Sequence, residues 1–183
     1  MFHAFTGCDT TSSFYKKGKK CAWQSWMSFQ EVTDAFMAVR KKPFEEIQIE
    51  SEEFKLLEHF TILLYDKNST KECINHARRE LFSKKGRGLE NIPPTKDALL
   101  QHIFRVIYQA SIWFTSHERM PLIPSSEGRG WVLELNQLKP VWMTKPVAAK
   151  VCKELVRCHC QSENGCRFCK CIKLGLTCTE RCT

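Results

Sequence analysis

Seven closely spaced cysteines form the densest group of metal-ligating side chains in this sequence. Zinc takes four ligands in tetrahedral geometry, usually thiolate or imidazole, and closely spaced cysteines allow a short segment to supply them without a large core. The spacing therefore predicts zinc ligation by Cys158, Cys160, Cys166, Cys169, Cys171, Cys178 and Cys182.

The paired Cys-x-Cys spacing favours a cluster in which zinc ions share thiolates. Two cysteines one residue apart rarely both ligate the same metal ion. The spacing therefore favours a cluster in which one thiolate sulfur bridges two metal ions. Seven thiolates supply the ligand bonds of about two tetrahedral zinc ions if one sulfur bridges. Cys152 or His159 is the alternative source of the missing bond. We therefore expect about two zinc ions per chain.

Four cations are interleaved with these cysteines. They partly offset the negative charge of a zinc-thiolate cluster, and they remain available to phosphate groups, which Arg and Lys bind. They are Arg167, Lys170, Lys173 and Arg181.

This cysteine spacing resembles one CXC repeat of the tesmin/TSO1-like family, whose members are zinc-thiolate DNA-binding modules with a shared multi-zinc cluster. The resemblance covers about residues 157–183. Cys166 lies one position later than in the family pattern, and Phe168 stands where the family often has a tyrosine that contacts DNA. Family members continue into further cysteines after the last matched position, so we expect an incomplete cluster here.

A second candidate site lies near the amino terminus, where Gly-Cys-Asp at residues 7–9 is followed by a glycine-lysine turn. A buried strand that ends at Asp9 would place a carboxylate in a Mg²⁺ site. A helix that opens after Gly18 would present its backbone N–H groups, together with Lys19 and Lys20, to a phosphate. The two features together suit the binding of a phosphodiester.

This arrangement resembles the Gly-Cys-Asp and helix-turn-helix segment of flap-endonuclease-like nucleases with a PIN-like core. The resemblance covers about residues 5–26. It implies that Asp9 binds the metal, that Gly18 is the turn glycine, and that Lys19 and Lys20 contact the DNA backbone.

Departures from that pattern argue against catalysis by this chain. Lys16 replaces the first turn glycine of the family, and the acidic strands that precede the motif in such nucleases have no counterpart here. The segment also resembles uncharacterised animal proteins of mobile-element character, in which a nuclease-like domain precedes a cysteine-rich tail. We therefore expect a non-catalytic, truncated remnant, and a turn or capping role is the alternative for Asp9.

Composition places the chain among folded, basic proteins. The 183 residues are 43% hydrophobic, and the net charge of +8 favours polyanionic partners such as DNA. The start of the chain lacks the apolar run of a secretory signal, which indicates the nucleus, or alternatively the cytoplasm. The longest apolar stretch, near residues 60–65, is too short for a membrane span.

Helical periodicity predicts the elements that position these sites. Hydrophobic spacing and capping residues indicate helices over about 29–40 after Ser28, from Ser51 to about 65, from Thr70 to about 85, and from Thr95 to about 113. A short helix over 148–156 leads into the cysteines. Most tryptophans are assigned to the core, and the histidines outside the cysteine segment to surfaces or helix faces.

The expected fold is mainly α. Residues 1–119 form a helical body, which could be the C-terminal part of a truncated PIN-like α/β nuclease domain. Residues 120–150 form a Pro-rich linker with a loop or a short hairpin, and residues 151–183 form a small irregular zinc-thiolate tail.

The favoured function is zinc-dependent DNA binding by a mobile-element-derived protein. One alternative is a Mg²⁺-dependent, structure-selective nuclease in a longer form of the protein. The other is a protein-interaction module in which zinc serves only to stabilise the fold.

Overall fold

A computed structural model describes residues 1–83 and 89–145, and these residues are dominated by helices. The α-helices are α1 (Phe2–Phe5), α2 (Lys19–Ser28), α3 (Val32–Lys41), α4 (Glu52–Tyr65), α5 (Ile74–Ser83) and α6 (Lys96–Thr115). A 3-10 turn covers Leu89–Asn91, and the strands β1 (Trp131–Glu134) and β2 (Gln137–Pro140) form a two-stranded sheet. The prediction of a mainly α fold is confirmed for this part of the chain. The expected zinc-thiolate tail and the helix over 148–156 lie outside the described residues.

The core forms around α4 and α6. Helices α2, α3 and α5 pack on α4, while α1 and α3 also contact α6. Phe54, Leu57 and Phe60 of α4 and Leu99 and Ile103 of α6 are completely buried. The apolar residues of α6 recur at the spacing of one helix face, as its sequence predicts. Within the described residues no helix is both long and apolar enough to cross a membrane.

Two helix starts are set by local capping residues, as predicted. The Ser51 side chain accepts a hydrogen bond from the backbone N–H of Phe54 at 3.2 Å. The Thr95 side chain accepts one from Ala98 at 3.1 Å at the start of α6. Such a cap stabilises a helix by about 1 kcal/mol, because it satisfies a backbone donor that has no partner inside the helix.

Two other predicted helix starts are wrong. Ser28 ends α2 and donates its hydroxyl to the Ser25 carbonyl, so it does not cap the next helix, which begins at Val32. Thr70 does not cap α5, which begins at Ile74. The Ile74 N–H instead donates to the buried Glu58 carboxylate at 2.8 Å. A side chain from another helix therefore replaces the local cap.

The residues before Asp9 form a helical turn, so the expected buried strand is wrong. Phe2–Phe5 is helical, and the Thr6 hydroxyl closes it by donating to the Phe2 carbonyl at 2.9 Å. The predicted helix after the glycine-lysine turn is confirmed, since α2 begins at Lys19 with Gly18 as its N-cap.

The predicted hairpin is present and packs on α6. Its turn residues Leu135 and Asn136 have φ values of 50° and 59°, as a tight two-residue turn requires. The Arg105 guanidinium of α6 donates to the carbonyls of Gly130 and Val141 on either side of the hairpin. A Cβ atom on Gly130 would lie 2.5 Å from the Gln101 carbonyl oxygen, so the chain needs glycine there. This part of the expected linker belongs to the same compact unit as the helices, which extends to Thr144.

Candidate functional site

The loop that carries Cys8 and Asp9 is held in one conformation by its own contacts. Gly7 has a φ of +104°, and a Cβ atom there would lie 2.6 Å from the Ser13 Cβ. Cys8 and Thr11 exchange backbone hydrogen bonds, and the Thr11 hydroxyl donates to the Ala4 carbonyl at 2.6 Å. The turn therefore requires glycine at position 7 of the Gly-Cys-Asp segment.

The Cys8 thiol lies against two hydroxyl groups. Its Sγ atom is 3.4 Å from the Thr10 oxygen and 3.1 Å from the Thr11 oxygen. Burial raises the thiol pKa, but these side-chain hydrogen bonds and the backbone hydrogen bonds of Thr10 and Thr11 outweigh it and hold the pKa below its ordinary value. Cys8, Cys21 and Cys73 are free thiols.

Asp9 lies exposed at the tip of this loop. A two-metal or one-metal phosphodiesterase site needs several oxygen ligands around each ion. Within residues 1–83 and 89–145 no group of three His, Cys, Asp or Glu side chains lies close enough to hold a metal ion. The residues described here therefore do not fit the Mg²⁺ site that the nuclease resemblance implies, and we derive no catalytic step for Asp9.

The glycine-lysine turn forms the most basic surface of the amino-terminal region. We call residues 16–20 the basic turn. Gly18 has an extended backbone (φ −68°, ψ 166°) at the start of α2 and has no side chain to cap the helix. The space around its Cα is open, since no atom lies within 4 Å of the position that a Cβ atom would take. No described residue accepts a hydrogen bond from the first backbone N–H groups of α2, those of Lys19, Lys20 and Cys21.

The lysines of the basic turn have different roles. The Lys19 ammonium donates to the Gly7 carbonyl at 2.6 Å and to the Thr6 hydroxyl at 3.3 Å, so it ties the start of α2 to the Asp9 loop. Lys20 is exposed and has no hydrogen-bond partner among the described residues. Lys16 lies over the Tyr15 ring and Lys17 over the Tyr65 ring. Of the two predicted phosphate contacts, Lys20 is the free one.

An exposed aromatic side chain lies beside the basic turn. Trp23 follows Lys19 and Lys20 by one helical turn and is 53% exposed. Trp113 and Trp142 are exposed as well, so the assignment of most tryptophans to the core is wrong. The Trp23 ring contacts Phe2 and Trp26 edge-on, with centroids 5.9 and 5.2 Å away, which fixes its orientation. The sequence shows the spacing of these lysines and the tryptophan, but it does not show which face of α2 is exposed.

Ser12 and the buried His102 form a hydrogen-bonded pair that the sequence did not reveal. The Ser12 oxygen is 3.2 Å from Nδ1 of His102, and Nε2 of the same ring is 2.9 Å from the Phe5 carbonyl oxygen. Because a carbonyl only accepts, Nε2 donates and Nδ1 accepts from the serine hydroxyl. Burial lowers the His102 pKa to about 4.

That low pKa decides the role of this pair. A general base must bind a proton during the reaction, and here burial and the nearby Arg105 charge both oppose the imidazolium form. The ring therefore serves as a neutral tie between the amino-terminal loop and α6. One signal was present in the sequence, since His102 follows Leu99 by three residues on the apolar face of α6.

The remaining predicted site residues lie outside the described residues. They comprise the zinc ligands Cys158, Cys160, Cys166, Cys169, Cys171, Cys178 and Cys182, the alternatives Cys152 and His159, and the DNA contacts Arg167, Phe168, Lys170, Lys173 and Arg181. Comparison with family models, with curated proteins and with solved structures gives no match to this chain. Support for a function therefore comes from the geometry of the basic turn and from the cysteine spacing.

Proposed function

We propose that this protein binds DNA, through the basic turn of its helical body and through a zinc-dependent segment at residues 151–183. The observation that carries the proposal is the basic turn itself. Lys16 and Lys17 precede the Gly18 N-cap of α2 and Lys20 lies in its first turn, while Lys19 fixes the start of the helix to the preceding loop. DNA phosphates are bound by lysine side chains and by backbone N–H groups at helix N-termini.

Charge distribution supports the same surface. From Thr10 to Gln30 the chain has four lysines and no acidic residue. Local positive charge of this kind attracts the phosphate backbone and releases condensed counterions when it binds. The exposed Trp23 ring adds a surface on which an unpaired base can stack.

The zinc-dependent segment is the second part of the proposal. The cysteine spacing supports about two zinc ions held by a shared thiolate cluster. Such a cluster would fix the directions of Arg167, Lys170, Lys173 and Arg181, so that they meet successive phosphates, with Phe168 as an apolar contact. We propose the nucleus as the place where this activity operates and a mobile element as the origin of the chain.

The test compares two triple variants of the full chain that change the charge equally. In one, Lys16, Lys17 and Lys20 are replaced by alanine. In the control, the exposed Lys41, Lys55 and Lys139 are replaced. Fluorescence anisotropy with a labelled duplex, repeated over a range of salt concentrations, gives the slope of log affinity against log salt.

We expect the first variant to flatten that slope by up to about 3, at about 0.9 for each lost phosphate contact. The control should leave the slope nearly unchanged, although its net charge is the same. Equal slopes for both variants would contradict a role for the basic turn. In that case only overall charge, or the segment 151–183, would account for DNA binding.

A further inference from the structure

A cavity of about 260 Å³ lies between the end of the amino-terminal loop, the end of α4 and one face of α6. It adjoins the basic turn, because Tyr15 and Tyr65 line it and Lys16 and Lys17 lie over their rings, but the proposed DNA binding does not use it. Its lining combines aromatic rings with polar groups, as in sites for small organic molecules. The lining includes Ser12, Phe14, Tyr65, Glu90, Arg105 and Trp142.

Arg105 is the unusual member of this lining, because it is a buried cation without an acidic partner. The residue is 3% exposed, and no Asp or Glu among the described residues forms an ion pair with it. Its only hydrogen-bond acceptors there are the carbonyls of Gly130 and Val141, at 3.1 and 2.6 Å, both reached by one terminal nitrogen. Buried arginines are normally paired with an anion.

The other N–H groups of Arg105 remain available to a ligand. No described residue accepts a hydrogen bond from its Nε or from its second terminal nitrogen. Neither nitrogen is sealed from solvent, since Ser25 Oγ is the one fully buried side-chain N or O atom without a partner among the described residues. Arg105 lines the cavity, so a ligand there is the candidate acceptor for these donors.

A second donor lies in the same cavity. Tyr65 lines it, and burial raises the pKa of this phenol to about 12, so the hydroxyl keeps its proton at neutral pH. No described residue hydrogen bonds to that hydroxyl. The Ser12 hydroxyl is already committed as a donor to His102, so its oxygen is left as an acceptor.

The shape of the lining limits the ligand further. Trp142 lies over the Arg105 guanidinium with its ring centroid 5.4 Å away and is 62% exposed, so it forms an aromatic wall open to the cavity. Phe14 forms part of another wall, and the Glu90 carboxylate also lines the cavity. Flat walls favour a planar molecule.

We infer that this cavity binds a small planar organic anion, whose carboxylate or phosphate ester pairs with Arg105 and whose ring lies against Trp142. The anion supplies the counter-charge that the described residues do not provide. The Tyr65 hydroxyl donates a further hydrogen bond to it. A free aromatic acid and a mononucleotide share this chemistry, and the experiment distinguishes them.

The test measures binding of four probes to the full chain by isothermal titration calorimetry. Benzoate carries both the ring and the charge, benzamide has the ring without the charge, and acetate has the charge without the ring. The fourth probe, dAMP, represents the nucleotide source. We expect benzoate or dAMP to bind at least about tenfold more tightly than benzamide and acetate, a difference of about 1.4 kcal/mol. Whichever of the two binds more tightly identifies the source.

Variants connect that binding to the cavity. Tyr65→Phe and Trp142→Ala should each weaken binding of the preferred probe by at least about threefold, a loss of about 0.7 kcal/mol, and both should keep the fold, because one retains its ring and the other is largely exposed. Phe82→Ala, an exposed aromatic residue outside the cavity and outside the proposed DNA-binding surface, should leave binding unchanged. Arg105→Gln should abolish binding if the variant folds, as judged by circular dichroism. The inference is overturned if benzamide binds as tightly as benzoate, if no probe binds, or if Tyr65→Phe and Trp142→Ala both bind as the wild type does.

Discussion

His102 is the residue through which the stability of the helical body depends on pH. Its imidazole joins the Phe5 carbonyl on one side to the Ser12 hydroxyl on the other, within the buried contact between α1 and α6. The hydrogen bond from Ser12 requires an unprotonated Nδ1, whereas the Nε2–H group donates to the Phe5 carbonyl in either charge state. Protonation would place a charge in an apolar site and break the hydrogen bond from Ser12.

The expected result is a loss of stability in mild acid. Below pH 6.5 the unfolded chain binds a proton at this histidine, whereas the folded chain binds it only near pH 4. The free energy of unfolding should therefore fall by about 1.4 kcal/mol per pH unit across that window, in addition to other titrations. Thermal denaturation between pH 4 and 8 measures this slope. His102→Gln should flatten it, and the same slope in the variant and the wild type would contradict the assignment.

The sequence predicts structure that depends on residues close together in the chain. It does not predict hydrogen bonds between residues that are far apart in the chain. Residues 18–20 were predicted to open a helix, and they do, because the backbone preference of glycine acts within the turn. The partners of His102 are Phe5 and Ser12, which lie about ninety residues away in the chain. Arg105 is bound by carbonyls of the hairpin in the same way. No periodicity in α6 shows such contacts.

Glu58 connects three helices of the body. One oxygen of this buried carboxylate accepts the Ile74 N–H at the start of α5, and the other lies 3.0 Å from the Lys96 ammonium at the start of α6. Ser51 and Thr95 could be predicted as caps because a cap and its helix are adjacent in sequence. The start of α5 could not, since its acceptor comes from the neighbouring helix.

We expect Glu58→Ala to destabilise the fold by about 3 kcal/mol, because it leaves the α5 N–H and the Lys96 ammonium without their buried acceptor. Glu52 is the matched control, since it forms an exposed pair with Lys55 on the same helix. Glu52→Ala should cost less than about 1 kcal/mol. Urea denaturation compares the two variants. Equal losses would show that the Glu58 contacts contribute no more than a surface ion pair.

In the whole molecule, two different sequence patterns support the predictions: hydrophobic periodicity in the helical body and cysteine spacing in the segment that follows it. The mainly α body was predictable because amphipathic spacing in α3, α4 and α6 reports burial directly. The hairpin was predictable from its turn composition, but its attachment to α6 depends on Arg105 and was not. The cysteine spacing predicts metal ligation rather than a helix, so metal analysis is its direct test.

The central claim is that this protein binds DNA through the basic turn together with a zinc-dependent segment at residues 151–183. The most direct measurement is duplex affinity for the full chain, purified under reducing conditions with zinc present, before and after zinc removal by a chelator, with metal content determined by elemental analysis. We predict about two zinc ions per chain, and a slope of log affinity against log salt of about −3 or steeper in the zinc-loaded protein. Chelation should flatten the slope by at least about 2, because Arg167, Lys170, Lys173 and Arg181 lose their fixed positions. A chain that contains no zinc, or one that binds duplex DNA equally well after zinc removal, would contradict the account.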